Sequence, residues 1–179
     1  MKLETYIAAD NIISPLGFTS EENFEQLKNQ KTGVQKITSS PYSLTPIFAA
    51  LIDDKKIDTE LKKIAVSNSF TRLEKLMILS ISAALKQNQA IDVRSKKTLF
   101  IISTTKGNIN LLDPSQAAQF DKKRVYLWET ARVIQEHFKS PNKAPVVSNA
   151  CISGVLGIIM AKRLLEAGTY ENIIVCGVD

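Results

Sequence analysis

The chain has 179 residues, 44% hydrophobic and 23% charged, the composition of a soluble globular protein that can bury a core without disulfides or metal ions. One histidine and two separated cysteines argue against a metal site, and we expect neither a signal peptide nor a membrane span. The net charge of +5 suits an acidic partner, but no Lys/Arg run exceeds three residues, so nucleic acid is not expected. We expect a cytoplasmic protein without a cofactor.

Turn and capping signals divide the first part of the chain into a predicted strand and a predicted helix. The pattern predicts a strand over Thr5–Ile13, closed by a turn at Ser14–Gly17. A helix follows, with a capping box at Thr19–Glu22 and an apolar stripe that contains Phe24 and Leu27.

The middle of the chain contains the clearest single helix. After a short extended piece within Leu44–Ile52, Thr71 and Glu74 form a second capping box at the start of a run with helical apolar spacing. Thr98–Thr104 is a continuous β-rich run, which predicts a strand buried on both faces. Thr104–Asn108 then predicts a loop.

The last fifty residues alternate between helix and strand patterns. We predict a helix over Trp128–Phe138, a short strand over Pro145–Asn149, a buried helix over Gly154–Ala167 and a buried strand over Asn172–Val178. A strand, a helix and a strand in this order indicate an α/β protein whose mostly parallel sheet is covered by helices.

Cys151 lies at the corner between the predicted strand and the next helix. Its small neighbours Ala150, Ser153 and Gly154 leave room for a sharp turn that presents the side chain above the sheet. The nucleophilic serine of serine hydrolases is presented on the same kind of turn. The helix N-terminus favours a thiolate and offers backbone N–H groups, including that of Cys151, to an oxyanion. The alternative is a buried structural cysteine, which is how we interpret Cys176 inside its apolar strand.

Four segments resemble β-ketoacyl synthases, which are condensing enzymes of the thiolase superfamily. The segments follow one another along the chain in the same order as in that family. Val147–Gly154 is similar to the family's Thr-Ala-Cys-x-Ser-Gly segment, with Asn149 in place of threonine. The other matches are Ile13–Gly17 with the following Lys31–Val34, then Phe70–Leu76, and then Ala161–Asp179. The resemblance covers nearly the whole chain and implies that residues 1–179 form the N-terminal half of a thiolase-like fold, as a single domain.

The resemblance also implies a reaction. Cys151 would accept an acyl group from acyl carrier protein or coenzyme A, for decarboxylative condensation with a malonyl thioester in fatty-acid or polyketide synthesis. Lys106 and Gly107 stand where the family has the gate of its acyl pocket, and a lysine there argues against long apolar chains. The implied assembly is a homodimer, or a complex with a partner that supplies the C-terminal half.

The family's catalytic histidines lie in that second half, and His137 has neither the position nor the sequence context to replace them. Acyl loading therefore follows from these residues, whereas condensation does not. Two other interpretations stay open. A non-catalytic partner that sets chain length would explain the missing histidines but usually lacks the cysteine. A cysteine hydrolase would need a histidine base, for which His137 is the single candidate.

Overall fold

The computed structural model describes residues 4–38, 43–64, 69–117 and 119–179. The chain divides into two compact units, Asp10–Ser67 and the combination of Met1–Ala9 with Asn68–Asp179. Within the described ranges, no helix is long and apolar enough to cross a membrane.

The smaller unit combines two helices with a two-stranded antiparallel ribbon. Its elements are α1 (Ser20–Lys28), β1 (Val34–Ile37), β2 (Ile47–Ala50) and α2 (Asp54–Lys63). Val34 pairs with Ala50, and Ile37 with Ile47. The extended piece predicted within Leu44–Ile52 is therefore confirmed as β2.

Helix α1 begins where the sequence predicts, but its contacts differ from the prediction. Thr19 caps it, since its hydroxyl accepts from the N–H of Glu22 at 3.1 Å. The Glu22 carboxylate does not complete the capping box, because it accepts from the N–H of Phe18 at 2.6 Å. Phe24 and Leu27 are more than 60% exposed, so the predicted apolar stripe is not covered by the described residues.

Asn23 is the buried residue of α1. Its amide nitrogen donates to the carbonyls of Ile12, Gly17 and Thr19 at 3.0, 3.1 and 2.7 Å. A polar side chain therefore organises the turn before α1, because three carbonyls that approach one another need a donor.

The strand predicted over Thr5–Ile13 does not form. Residues 4–13 have no regular structure, and the apolar side chains of Tyr6, Ile7 and Ile12 are exposed. A strand satisfies its backbone through a neighbouring strand, and no strand of the described residues pairs with this segment.

The larger unit is a parallel sheet between helices. Its elements are α3 (Arg72–Gln87), β3 (Thr98–Ser103), α4 (Pro114–Ala117), α5 (Leu127–His137), β4 (Val146–Val147), α6 (Ser153–Glu166) and β5 (Asn172–Gly177), with 3₁₀ turns at Ile109–Leu112 and Lys122–Val125. The sheet order is β4-β3-β5, and both pairings are parallel. The predicted parallel sheet and the predicted helices and strands of this unit are thus confirmed, with small shifts of their ends. The prediction that the last strand is buried is corrected, because in β5 only Cys176 is buried and the other positions are half-buried or exposed.

The central strand β3 is buried at all six positions. Leu99 and Ile101 pack with Ala161 of α6 in one apolar cluster, whereas the ring of Phe100 stacks on Phe138, just after α5, at 5.4 Å. Successive side chains of a strand point to opposite faces, so α6 covers one face of the sheet and α5 covers the other.

Helix α6 is only half-covered, which corrects the prediction that it is buried. Its buried positions lie on one stripe of small residues, Ser153, Gly157 and Ala161. On the other side, Val155 and Ile158 are 60% and 56% exposed. The apolar sequence predicted burial on all sides, but no described residue covers that second face.

The two glycines of α6 give a matched test of its packing. A Cβ at Gly157 would lie 2.6 Å from Ser103 Oγ, whereas a Cβ at Gly154 would meet nothing within 4 Å. We expect Gly157→Ala to destabilise the protein by about 1–3 kcal/mol through overpacking. Gly154→Ala should instead stabilise it by up to about 1 kcal/mol, because alanine favours a helix. Urea unfolding measures both changes, and equal effects of the two substitutions would contradict this packing.

Candidate functional site

The candidate site residues lie where three parallel strands end. In the register of the sheet, Ser103 of β3 is level with Val147 of β4 and Gly177 of β5. The turn with Cys151 follows β4, the loop Thr104–Gly107 follows β3, and Asp179 follows β5. All three segments therefore stand at the carboxyl edge of the sheet, where α/β proteins bind their ligands.

The turn that carries Cys151 is tightly held. Ala150 has φ of +44°, in the left-handed region that is costly for a residue with a Cβ. The buried hydroxyl of Ser153 accepts from the N–H of Asn149 and donates to the carbonyl of Ala150, both at 2.8 Å. The N–H of Ile152 donates to the carbonyl of Asn149 at 3.2 Å. These bonds compensate the strain and fix the corner predicted from the sequence.

The corner presents Cys151 to solvent at the start of α6. No side chain of the described residues caps this helix at Ile152, so the first turn of the helix offers backbone N–H groups to an anion. An exposed thiol at the start of a helix is an arrangement that can support nucleophilic attack on a carbonyl, with N–H groups of the helix available to an oxyanion.

Cys176 has the opposite surroundings. It lies on β5, is 6% exposed, and burial raises the pKa of its thiol to about 12. Because the thiolate is the reactive form, Cys176 is a core residue, as its sequence context predicts.

Asp179 holds the loop after β3. Its carboxylate accepts from the hydroxyls of Thr104 and Thr105 at 2.7 and 2.8 Å. It also accepts from the backbone N–H groups of Thr105 and Lys106 at 2.9 and 3.1 Å. Partial burial opposes ionisation, but these hydrogen bonds outweigh it and lower the pKa of Asp179 to about 2. The stabilisation is therefore complete above the pKa of an unfolded aspartate, about 3.9, and is lost as pH falls toward 2.

The loop is also fixed at its far end by Asn108, which is fully buried. Its side chain accepts from the hydroxyl of Thr71 at 2.7 Å and donates to Glu74 at 3.3 Å and to the carbonyl of Arg124 at 3.0 Å. The guanidinium of Arg124 pairs with the same Glu74 carboxylate at 2.7 Å.

The two predicted gate residues have different surroundings. Lys106 is exposed. Gly107 is buried with φ of +57°, and a Cβ there would lie 2.5 Å from Leu127 Cδ2. Gly107 therefore allows the loop to approach α5 closely, and of the two, Lys106 is the one whose side chain is presented to solvent.

His137 lies away from this edge. It ends α5, and the segment that follows, which leads to β4, passes the start of β3, because Asn142 donates to the carbonyls of Lys96 and Thr98. Its ring makes edge contacts with Phe70 and Phe138, and burial lowers its pKa. His137 is therefore at the amino edge of the sheet and does not serve Cys151 as a base. In the part of the chain that the structure describes, no group of three or more His, Cys, Asp or Glu side chains could hold a metal ion.

Asp179 and Asn108 are site residues that the sequence patterns did not predict. The available signal for Asp179 is an acidic residue directly after a buried strand, at the edge where β3 and β4 also end. Asn108 has a weaker signal, because an asparagine after a glycine is common in any loop.

Solved structures share this architecture. The ishigamide ketosynthase/chain length factor superposes with a TM-score of 0.64 and 17% identity, over 88% of this chain and 47% of that chain. A β-ketoacyl synthase from Burkholderia phymatum STM815 gives a TM-score of 0.61 and 15% identity, over 92% of this chain and 44% of that one. The chain has the thiolase-like fold of the ketosynthases.

The predicted ketosynthase-like α/β fold is thus confirmed. The chain spans less than half the length of these two solved ketosynthase chains. No protein-family model and no curated protein sequence matches it.

The contrast between the two cysteines gives a direct test. Brief iodoacetamide treatment of the native protein should label Cys151, because it is exposed, and spare Cys176, because it is buried and protonated. Peptide mass spectrometry measures the two sites, and denatured protein, which should label at both, is the control. Preferential labelling of Cys176 would contradict the assignment of the site.

Proposed function

We propose that the chain is the N-terminal domain of a β-ketoacyl synthase that loads an acyl group onto Cys151. The observation that carries this proposal is the exposed cysteine on a strained turn, at the carboxyl edge of the sheet in a ketosynthase-like fold. The substrates are thioesters of acyl carrier protein or coenzyme A, in fatty-acid or polyketide synthesis. The excess positive charge of the chain, +5, suits an acidic carrier protein.

The loading step needs few groups. The Cys151 thiolate attacks the thioester carbonyl carbon, a new C–S bond forms, and the carbonyl oxygen becomes an oxyanion near the backbone N–H groups of Cys151 and the start of α6. When the oxyanion collapses, the original C–S bond breaks and the carrier leaves as a thiolate. That thiolate takes a proton from solvent, which balances the proton that Cys151 lost.

Condensation needs more than these residues. Decarboxylation of a malonyl thioester produces negative charge on the thioester oxygen, and His137 is at the other edge of the sheet, so it cannot stabilise that charge. We propose that the missing groups come from another polypeptide segment, as a C-terminal half or a second subunit. The exposed face of α6, with Ile152, Val155 and Ile158, is a surface that such a segment would cover.

A second function is a non-catalytic partner subunit that shapes the acyl pocket of an active synthase. The observation that favours it is the solved neighbour that combines a ketosynthase with a chain length factor. Cys151 on its strained turn favours loading, because a purely structural subunit does not need an exposed thiol there.

Acyl loading is tested by incubating the chain with acetyl-coenzyme A and hexanoyl-coenzyme A and measuring the intact mass. We expect one acyl group on the native protein and on Cys176→Ser, and none on Cys151→Ser. Hydroxylamine should remove the adduct, because a thioester is labile to it. We also expect no carbon dioxide release from a malonyl thioester by this chain.

Two results would decide against the proposal. No adduct on the native, folded protein would favour the non-catalytic partner. An adduct that persists in Cys151→Ser would place the nucleophile elsewhere.

A further inference from the structure

The loop between Ser103 and Asn108 is fixed from both sides by polar contacts. At its far end, Asn108 joins the buried network around Glu74. At its near end, the Asp179 carboxylate accepts four hydrogen bonds. The hydroxyl of Thr104 also accepts from the N–H of Gly107 at 3.0 Å, so the backbone between the two anchors forms a hydrogen-bonded turn.

The contacts of Asp179 are divided unequally between its two oxygens. Oδ1 accepts from the hydroxyl of Thr104 and from the N–H groups of Thr105 and Lys106. Oδ2 accepts from the hydroxyl of Thr105. Successive N–H groups that converge on one anion form a nest, and here the nest is filled by a carboxylate of the same chain.

The loop that Asp179 holds lies beside the turn that carries Cys151. β3, which leads into the loop, is the neighbour of β4, which leads into the Cys151 turn. Neighbouring strands are about 4.8 Å apart, so the loop borders the approach to the cysteine. Movement of the loop would change the space that an acyl chain can enter.

We propose that Asp179 is a positioning residue that holds the loop Thr104–Gly107 beside Cys151 and thereby determines which acyl chains reach the thiol. This inference rests on the proposed acyl loading at Cys151. The loop presents the exposed Lys106 ammonium and the half-buried Thr105 rather than apolar side chains, whereas Thr104 is buried. An apolar chain placed against the ammonium removes it from water at a cost. The substrates that fit are short acyl groups or acyl groups with a polar end.

Amide hydrogen exchange tests the anchor without any enzymatic activity. In the full 179-residue chain, Asp179→Ala should raise exchange at Thr105 and Lys106 by about tenfold or more, because their N–H groups lose a charged acceptor. Asp179→Asn should show a smaller change, because its amide oxygen can replace Oδ1 and keep three of the four contacts. Asp113→Ala, which removes an exposed aspartate from another loop, is the control and should leave both amides unchanged.

Loading of an acyl series tests the consequence. The native chain should load acetyl and hexanoyl groups faster than decanoyl groups. In Asp179→Ala the ratio of hexanoyl to decanoyl loading should fall toward one, and Asp179→Asn should restore most of the preference. A change that both variants share equally would indicate general destabilisation and overturn the inference.

The outcomes separate the inference from the function on which it rests. Unchanged exchange at Thr105 and Lys106 in Asp179→Asn and in folded Asp179→Ala would overturn the anchor itself. Loading with the same chain-length profile in the native protein and Asp179→Ala would overturn its effect on specificity, although acyl loading would stand. Absence of loading in the native protein would overturn both the proposed function and the specificity, whereas the exchange data would still decide the anchor.

Discussion

The buried carboxylate of Glu74 is the interaction on which the larger unit depends. It is fully buried, pairs with Arg124 at 2.7 Å, and accepts from the N–H of Thr71 and the amide of Asn108. A buried charge is tolerated only when such partners compensate its lost hydration, and removal of one partner from a buried pair costs about 3–5 kcal/mol. That cost is a large part of the stability of a domain, so α3, the loop after β3 and the segment before α5 are held together.

The hydrogen-bond network of Glu74 helps to hold the loop that borders the Cys151 turn. Asn108 fixes the far end of the loop after β3, Asp179 fixes the near end, and Ser153 closes the turn with Cys151. Each anchor fixes an irregular segment by hydrogen bonds of a polar side chain. Strand ends supply the rigid frame, and these contacts fix the irregular segments, which is the arrangement that a preorganised reaction site needs.

Local patterns in the sequence were sufficient for elements whose signals are themselves local. The capping box at Thr71 and Glu74 predicts the start of α3, and the β-rich run at Thr98–Thr104 predicts the buried strand β3. The small residues around Cys151 predict the corner that the structure shows. In each case the residues that determine the conformation are neighbours in the sequence.

Long-range contacts explain what the sequence did not predict. Thr5–Ile13 has a strand pattern, but a strand also needs a partner, which no local pattern reveals. Val155 of α6 is apolar, but burial also requires a covering surface, and no described residue supplies one. The hydrogen bonds from Thr104 and Lys106 to Asp179 connect residues more than 70 positions apart, so they can be inferred only when the pairing of β3 with β5 is known.

Cys151 and the loop after β3 share one edge of the sheet, and cross-linking measures this directly. Lys106 and Lys97 are exposed lysines that flank the two ends of β3, so Lys106→Cys and Lys97→Cys form a matched pair. A bis-maleimide cross-linker about 10 Å long, shorter than the roughly 20 Å length of a six-residue strand, should alkylate and join position 106 and Cys151 and fail to join position 97 to Cys151. Peptide mass spectrometry identifies the linked pairs. A link from position 97, or none from position 106 in folded protein, would show that Cys151 and the loop after β3 do not lie at the same edge.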